Sequence, residues 1–150
     1  MNIAREIIKC IEDGGKLLIC GNGGSATMAD HMAGELVGTF HGDNPLPAIS
    51  LTNPAIFTAL ANDLDYRHIF DKQVVAYGIP EDILIIFSTS YNGNMPQARS
   101  LNLRYAHTAA QTIGMKVIIF PQDGDCTEDV QDNQQKLMHQ VCREVKEYFG

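Results

Sequence analysis

Two groups of small polar residues follow apolar segments of the chain and point to a site for an anion. Residues 21–25 (Gly-Asn-Gly-Gly-Ser) follow the apolar segment 16–20 and precede a segment with helical spacing. Residues 88–90 (Ser-Thr-Ser) follow a second apolar segment, 83–87. A strand, a glycine loop and a helix start present backbone N–H groups and the positive end of a helix dipole to an anion. The sequence therefore predicts a pocket for a phosphorylated ligand.

Four further side chains have the chemistry of an active site or a metal site: His31, Glu35, Gln131 and His139. His31 and Glu35 are four residues apart on a predicted helix and share one of its faces, and imidazole and carboxylate are both zinc ligands. Taken alone, this spacing favours a surface His–Glu pair worth roughly 0.2–0.5 kcal/mol. Gln131 and His139, eight residues apart, lie about 80° apart around a helix and converge only if long side chains reach inward.

Composition limits the classes of partner. The chain has 150 residues, about the size of one domain, and a formal net charge of −7. That charge argues against nucleic acid and anionic membranes as partners, so a phosphate site must use backbone amides and hydroxyl groups. The apolar segments are too short to cross a membrane, and the first ten residues lack the pattern of a signal peptide. The four cysteines show no CxxC spacing and are interpreted as reduced core thiols of a cytoplasmic protein.

Alternating strand and helix patterns predict a doubly wound parallel α/β sheet in a single domain, residues 1–150. The predicted strands are 16–20, 47–51, 82–87 and 115–120. The predicted helices are 2–12, 25–38, 69–77, 96–113 and 127–148, and a further helical stretch starts at 53 and is interrupted at 62–65. Ser25 is the predicted N-cap of the second helix. On the last helix Leu137, Val141 and Val145 form an apolar stripe suited to packing on another subunit. Both polar loops begin at strand ends, where open α/β sheets bind ligands beside a switch in strand order.

A dinucleotide site is the first alternative. Gly21, Gly23 and Ala26 match a loose form of the dinucleotide-binding fingerprint. That fingerprint needs an acidic residue at the end of the second strand to bind the ribose, but residues 50–52 there are Ser-Leu-Thr. A tight turn without a ligand explains the match better than a dinucleotide does. The serines of both loops favour a phosphate monoester instead.

The motifs taken together resemble those of the sugar isomerase (SIS) domain family, and within it the phosphoheptose isomerases. The matching segments are 21–26, 29–38, 60–63, 70–74, 78–84, 88–90 and 114–118, followed by Gln131 and His139. They cover nearly the whole chain. The resemblance implies an SIS-like, flavodoxin-type nucleotide-binding architecture with about four to five strands flanked by helices.

The resemblance also implies an activity. It implies an aldose–ketose isomerase that converts sedoheptulose 7-phosphate to D-glycero-D-manno-heptose 7-phosphate through an enediol(ate), with Glu35 as base and His139 as acid. The implied substrate-binding residues are Asn22, Gly23, Gly24, Ser25, Asn62, Asp63, Ser88, Thr89, Ser90, Ser100 and Gln131. His31, Glu35, Gln131 and His139 fall on the family's zinc-ligand positions, which implies one zinc ion per subunit. The family further implies a homotetramer with sites at subunit interfaces.

Some features depart from the family pattern. An N-terminal helix and the last strand of the family are expected to be missing, which favours four strands. Residues 91–99 form a longer loop than the family has, which makes Ser100 the last phosphate hydroxyl, and Asp129 stands where the family usually has arginine. The second alternative is a non-catalytic SIS module that senses a phosphosugar or binds a partner protein. The partner-binding relatives lack the glutamate and the final histidine, so Glu35 and His139 favour the enzyme over them, whereas the unusual loop 91–99 would suit a phosphosugar sensor.

Overall fold

The computed structural model describes residues 1–93 and 99–150 of the chain. The strands in these residues are β1 (Leu17–Cys20), β2 (Ala48–Ser50), β3 (Ile83–Ile86) and β4 (Lys116–Ile119). The helices are α1 (Ile3–Glu12), α2 (Gly24–Val37), α3 (Pro54–Asp63), α4 (Asp71–Tyr77), α5 (Leu101–Ile113) and α6 (Thr127–Phe149), with a 3₁₀ turn at Tyr66–His68. Each helix in this part of the chain is too short or too polar to span a lipid bilayer.

The four strands form one parallel sheet in the order β2-β1-β3-β4. The chain moves from β1 outward to β2 on one side, then returns to place β3 and β4 on the other side. The strand order therefore reverses between β1 and β3, and the loops 21–25 and 88–90 follow the carboxyl ends of these two strands. This confirms the predicted fold class and places both polar loops where α/β sheets bind ligands.

Helices cover both faces of the sheet and form two separate cores. Leu17 and Ile19 of β1 pack with α1, α2 and α6 on one face. Leu18 and Cys20 of the same strand pack with α4 and α5 on the other face. Every residue of β1 and β3 is buried. The side chains of a strand alternate between the two faces of the sheet, so a strand covered on both faces buries all of them. The apolar character of the two central strands follows from this double burial.

Helix α2 begins one residue earlier than the sequence predicts, because Gly23 rather than Ser25 occupies its N-cap position. Gly23 has φ +56° and ψ −124°, a backbone conformation that residues with a side chain rarely adopt. Ser25 is buried in the first turn, and its backbone N–H donates to the carbonyl of Asn22 at 2.9 Å. The prediction that Ser25 caps the helix is wrong.

Two other helix boundaries differ from the prediction. Helix α3 continues through Asp63, so Asn62 and Asp63 do not interrupt it. Helix α5 begins at Leu101, and residues 99 and 100 are not helical, so the expected start at Pro96 is wrong for these two positions. The rest of the expected first turn, like most of the predicted loop 91–99, lies outside the described residues. Sequence patterns located these helices but not their first and last turns.

The apolar stripe of α6 faces the core of this chain. Val141 and Val145 are 4% and 0% exposed, and Leu137 is partly buried against the same core. They pack in the core that α6 shares with α1 and α2. The expectation that this stripe packs on another subunit is therefore wrong, since its side chains are already buried within the chain.

The four cysteines are free thiols, and three of them are buried. Burial raises the pKa of Cys10 to about 11 and the pKa of Cys142 to about 12, so both thiols are neutral at physiological pH. Burial also raises the pKa of Cys20. Cys126 is exposed, so its interpretation as a core thiol is wrong.

Two glycines near the loop after β1 provide a matched pair of substitutions. A Cβ at Gly21 would lie 2.7 Å from the backbone of Ser25 and 2.8 Å from the carbonyl oxygen of Phe87, whereas a Cβ at Gly34 would meet nothing within 4 Å. We expect Gly21→Ala to lower the free energy of unfolding by about 2 kcal/mol through overpacking. Gly34→Ala, inside α2, should raise it by about 0.5–1 kcal/mol. Urea denaturation measures both values, and equal stabilities of the two variants would contradict this packing.

Candidate metal and phosphate site

Three of the predicted site residues meet where α6 packs against α2. His31 Nε2 lies 3.3 Å from Glu35 Oε1 on the same helix and 3.2 Å from His139 Nε2 on α6. The candidate ligand atoms of these three residues all lie within 4.8 Å of one another. Each of the three side chains is half-buried. His31 and Glu35 therefore do not form an isolated surface pair, since α6 adds a second imidazole to them.

The donor set of this cluster fits a zinc ion. Two imidazoles and a carboxylate form catalytic zinc sites in which a fourth position takes water or substrate. Glu35 Oε2 is buried and has no hydrogen-bond partner within the described part of the chain. Leaving a buried carboxylate oxygen without a partner is costly, and a cation bound between the three side chains would provide one. The residues present therefore match the metal that the sequence predicts.

Cys142 lies near Glu35 but is not one of the candidate ligands of this cluster. The thiol is buried, and its Sγ donates to Met138 Sδ at 3.8 Å. Burial is the main cause of its raised pKa, and the nearby negative charge of Glu35 adds to it. Its Sγ is not among the candidate ligand atoms that lie within 4.8 Å of one another, so Cys142 contributes packing beside the cluster.

Gln131 lies at the other end of the α2–α6 contact. Its Nε2 is 2.6 Å from the position of a Cβ at Gly24, so the amide packs directly against the first residue of α2. Eight residues separate Gln131 from His139, which corresponds to about 12 Å along the helix axis. The structure thus brings together three of the four expected metal ligands and places the fourth beside the glycine loop. That Gln131 binds zinc or substrate stays a prediction.

The side chain of Asn22 links the glycine loop to the start of α5. Asn22 and Asn102 donate to each other's amide oxygens, at 3.0 Å and 2.8 Å, and the hydroxyl of Tyr66 donates to Asn22 Oδ1 at 3.4 Å. Asn102 is buried, and the backbone N–H of Leu103 donates to its Oδ1 at 2.8 Å. No role for Asn102 is predicted from the sequence. Its only sequence signal is a polar residue between two leucines in the first turn of a helix.

Ser88 shapes the second polar loop. Its buried hydroxyl oxygen accepts hydrogen bonds from the backbone N–H groups of Ser90 at 3.2 Å and Tyr91 at 2.9 Å. The side chain of Gln134 on α6 donates to the carbonyl of Ser88 at 2.8 Å and to that of Pro121 at 3.2 Å. Helix α6 therefore fixes the loops that follow β3 and β4. The pattern of the sequence did not reveal this contribution of Gln134.

The side chain of Tyr91 anchors the same loop to α5. Its hydroxyl group and His107 Nδ1 are 2.7 Å apart. Burial lowers the pKa of His107 and raises the pKa of Tyr91, so both side chains are neutral at physiological pH. The residue that begins the unusual loop is therefore part of the core.

A cleft of about 140 Å³ opens beside the glycine loop. It lies between Gly23, Thr52 and the aromatic rings of Phe57, Tyr66 and Phe70. Gly23 and Gly24 are exposed next to it, at the end of α2 where the first backbone N–H groups lack intrahelical partners. The loop is therefore accessible to an anionic ligand.

Five predicted substrate-binding residues are not among the residues that line this cleft. Asn62 and Asp63 are exposed at the end of α3, where Asn62 Nδ2 donates to Asp63 Oδ1 at 3.0 Å. Ser100 is half-buried immediately before α5 and has φ 58°. Thr89 is half-buried and Ser90 is exposed in the loop after β3. The substrate-binding roles of these five residues stay predictions.

The fold and the site can now be compared with known proteins. Residues 1–120 match the model of the SIS domain family, and the chain belongs to that family. It is 46% identical over 123 residues to the phosphoheptose isomerase of Desulfovibrio desulfuricans, an alignment that covers 81% of this chain and 55% of that protein. It is 37% identical over 162 residues to the phosphoheptose isomerase of Helicobacter pylori, covering 96% of this chain and 81% of that protein.

Solved structures show the same likeness. The phosphoheptose isomerase from Francisella tularensis has a TM-score of 0.86 and 32% identity to this chain, covering 97% of this chain and 83% of that one. The enzyme from Neisseria gonorrhoeae has a TM-score of 0.84 at 32% identity, covering 96% and 83%. The chain spans about half the length of two of the curated relatives it matches, 55% and 56%.

The contacts of Ser88 predict how phosphate binding responds to mutation. Ser88→Ala removes the hydroxyl that orders the backbone N–H groups of Ser90 and Tyr91 and that is predicted to donate to the phosphate. We expect the affinity for sedoheptulose 7-phosphate, measured by calorimetry, to weaken by about 1 kcal/mol or more. Thr112→Ala, an exposed hydroxyl on α5, is the control and should change nothing. Unchanged affinity in a Ser88→Ala/Ser90→Ala double variant would contradict a phosphate site in this loop.

Proposed function

We propose that this chain is a phosphosugar isomerase that converts sedoheptulose 7-phosphate to D-glycero-D-manno-heptose 7-phosphate. The observation that carries the proposal is the contact of His139 with the His31–Glu35 pair on the helix that begins at the glycine loop. His31 lies seven residues beyond Gly24, about 10 Å along α2. That separation is comparable to the length of a seven-carbon sugar phosphate. The similar proteins are named phosphoheptose isomerases, which supports a heptose phosphate as the substrate.

Glu35 is proposed as the base. An aldose–ketose isomerisation needs a group that moves a proton between C1 and C2 of the sugar. Glu35 removes a proton from C1 of the ketose, which leaves an enediol(ate), and returns the proton to C2. Its two oxygens have different surroundings, since Oε1 faces His31 whereas Oε2 is buried without a hydrogen-bond partner in the described residues.

His139 is proposed as the acid. The same reaction needs a group that moves a proton from O1 to O2, and imidazole does this near neutral pH. His139 is held from two sides, by the Nε2 of His31 at 3.2 Å and by the ring of Phe40, whose centroid is 5.7 Å from its own. These contacts fix the orientation of the ring next to Glu35.

We propose that His31, Glu35 and His139 hold one zinc ion per subunit, with Gln131 as a further candidate ligand. When bound, zinc polarises the carbonyl group of the sugar and stabilises negative charge on its oxygen. The substrate phosphate would bind the start of α2 together with Asn22 and the loop 88–90. The non-catalytic SIS module is not favoured, because Glu35 and His139 are both present and lie together.

The proposal includes a single SIS domain over residues 1–150 in a cytoplasmic protein that assembles as a homotetramer with sites at subunit interfaces. Exposed apolar side chains support the assembly. Helix α3 buries none of its ten residues, and Leu64, Tyr66 and Val75 are 55%, 59% and 64% exposed. The 3₁₀ turn that includes Tyr66 contacts both α3 and α4, and exposed apolar patches mark surfaces that another chain covers.

Light scattering tests this assembly. We expect a mass close to four times the chain mass of 16.5 kDa at micromolar concentration. Leu64→Asp, which places a charge among the exposed apolar side chains, should lower that mass. A monomeric mass for the unmodified chain would contradict the tetramer.

Substitutions at Glu35 and His139 test the proposed chemistry. Glu35→Gln keeps the size of the side chain but removes its basicity, so kcat with sedoheptulose 7-phosphate should fall by roughly 10²-fold or more. His139→Asn should lower kcat as well, because it removes the proton carrier. Both variants should bind less zinc, since each loses or weakens a ligand. Turnover and zinc content are measured on the same folded samples.

His68→Gln is the matched control, because this half-buried histidine pairs with Asp71 on the opposite face of the sheet. It should keep both turnover and zinc. Normal turnover in Glu35→Gln and His139→Asn would remove these residues from the mechanism. An unmodified protein that binds the sugar phosphate without converting it would indicate the phosphosugar-sensing module.

A further inference from the structure

Lys146 is a buried charge that the proposed chemistry does not use. It lies on α6 and is 1% exposed. Its ammonium group donates to three backbone carbonyls, those of Leu36 at 3.2 Å, Gly38 at 2.7 Å and Asn44 at 2.6 Å. None of the ion pairs found in the described residues involves it. The three carbonyls therefore use all of its donors.

The position of these carbonyls explains how the charge is tolerated. Burying an ammonium group costs several kcal/mol unless hydrogen bonds and opposite charge compensate for it. Leu36 and Gly38 are at the C-terminal end of α2, where the last carbonyls lack intrahelical partners and the helix dipole is negative. Lys146 thus acts as a C-terminal cap that a different helix provides.

The hydrogen bonds of Lys146 fix the position of α6 along the axis of α2. Lys146 follows His139 by seven residues, two helical turns, so both side chains lie on the same face of α6. At the other end of the contact Gln131 packs on Gly24. From Gln131 to His139 to Lys146 along α6, the contacted residues of α2 also advance, from Gly24 to His31 to Leu36. The two helices therefore run parallel. A slip of α6 by a single residue moves His139 by about 1.5 Å relative to His31.

We propose that Lys146 is a positioning residue for the metal site, because it sets the register that brings His139 to His31 and Glu35. The inference rests on the metal site of the proposed function. Within the described residues its ammonium group donates to the carbonyls of Leu36, Gly38 and Asn44, and not to the metal site or the substrate loops. It acts through the end of α2, and the geometry of the three ligands depends on it.

Lys146→Met tests this role, because methionine fills similar space without an ammonium group. Zinc affinity is measured on the full chain by competition with a chelator, at a temperature at which every variant is folded by circular dichroism. We expect Lys146→Met to bind zinc about 10-fold or more weakly, as when groups supporting metal ligands are removed. The rise in melting temperature on adding zinc should shrink in parallel.

Two controls separate positioning from general stability. Leu103→Ala removes a buried side chain from the opposite core, so it lowers the melting temperature but should keep zinc affinity. Lys72→Met removes an exposed lysine from α4 and should change neither quantity. Lys146→Gln, which keeps two donors on a shorter side chain, is used if Lys146→Met does not fold, and the same weakening is expected.

The outcomes of this experiment separate the positioning role of Lys146 from the existence of the metal site. Weaker zinc binding in the Lys146 variants but not in Leu103→Ala supports the positioning role. Unchanged zinc affinity in a folded Lys146 variant would overturn it and leave Lys146 as a structural cap. An unmodified chain that fails to bind zinc would instead overturn the metal site and the proposed mechanism that uses it.

Discussion

The candidate site depends on one packing constraint, the parallel alignment of α6 with α2. Helix α2 provides the end of the glycine loop, then His31 and Glu35, and α6 provides His139 opposite them. One end of the alignment is fixed by the packing of Gln131 against Gly24, and the other by the hydrogen bonds of the buried Lys146 ammonium group to the last carbonyls of α2. Three ligands from two helices can converge only while this register is kept.

The sheet provides the second half of the site through its strand order. Because the order reverses between β1 and β3, the loops after these two strands diverge to opposite faces and leave a crevice between them. The amide pair of Asn22 and Asn102 joins the two sides, and Gln134 holds the loop after β3 to α6. The same helix that presents His139 therefore also orders a loop proposed to bind phosphate. Mutations in α6 should for this reason affect both functions.

Much of this architecture could be predicted from the sequence, because alternating strands and helices leave clear apolar patterns. The four strands and both polar loops lie where those patterns place them. Side-chain periodicity shows which face of a helix is apolar but not which neighbour covers it. The stripe of Val141 and Val145 therefore predicts packing on another subunit, although both side chains pack inside this one. For the same reason the charge of Lys146 gave no sign of burial. The meeting of His139 with His31 followed only from family resemblance, since the two are 108 residues apart.

X-ray absorption spectroscopy of the zinc-loaded protein tests the central claim, that α2 and α6 together form a metal centre, most directly. We expect two imidazole nitrogens at about 2.0–2.1 Å and at least one carboxylate oxygen around the ion. In that arrangement zinc is held by His31, Glu35 and His139, and its spectrum contains no sulfur shell. A spectrum with sulfur ligands, or with no imidazole signal, would place the ion elsewhere and contradict the assignment of the site.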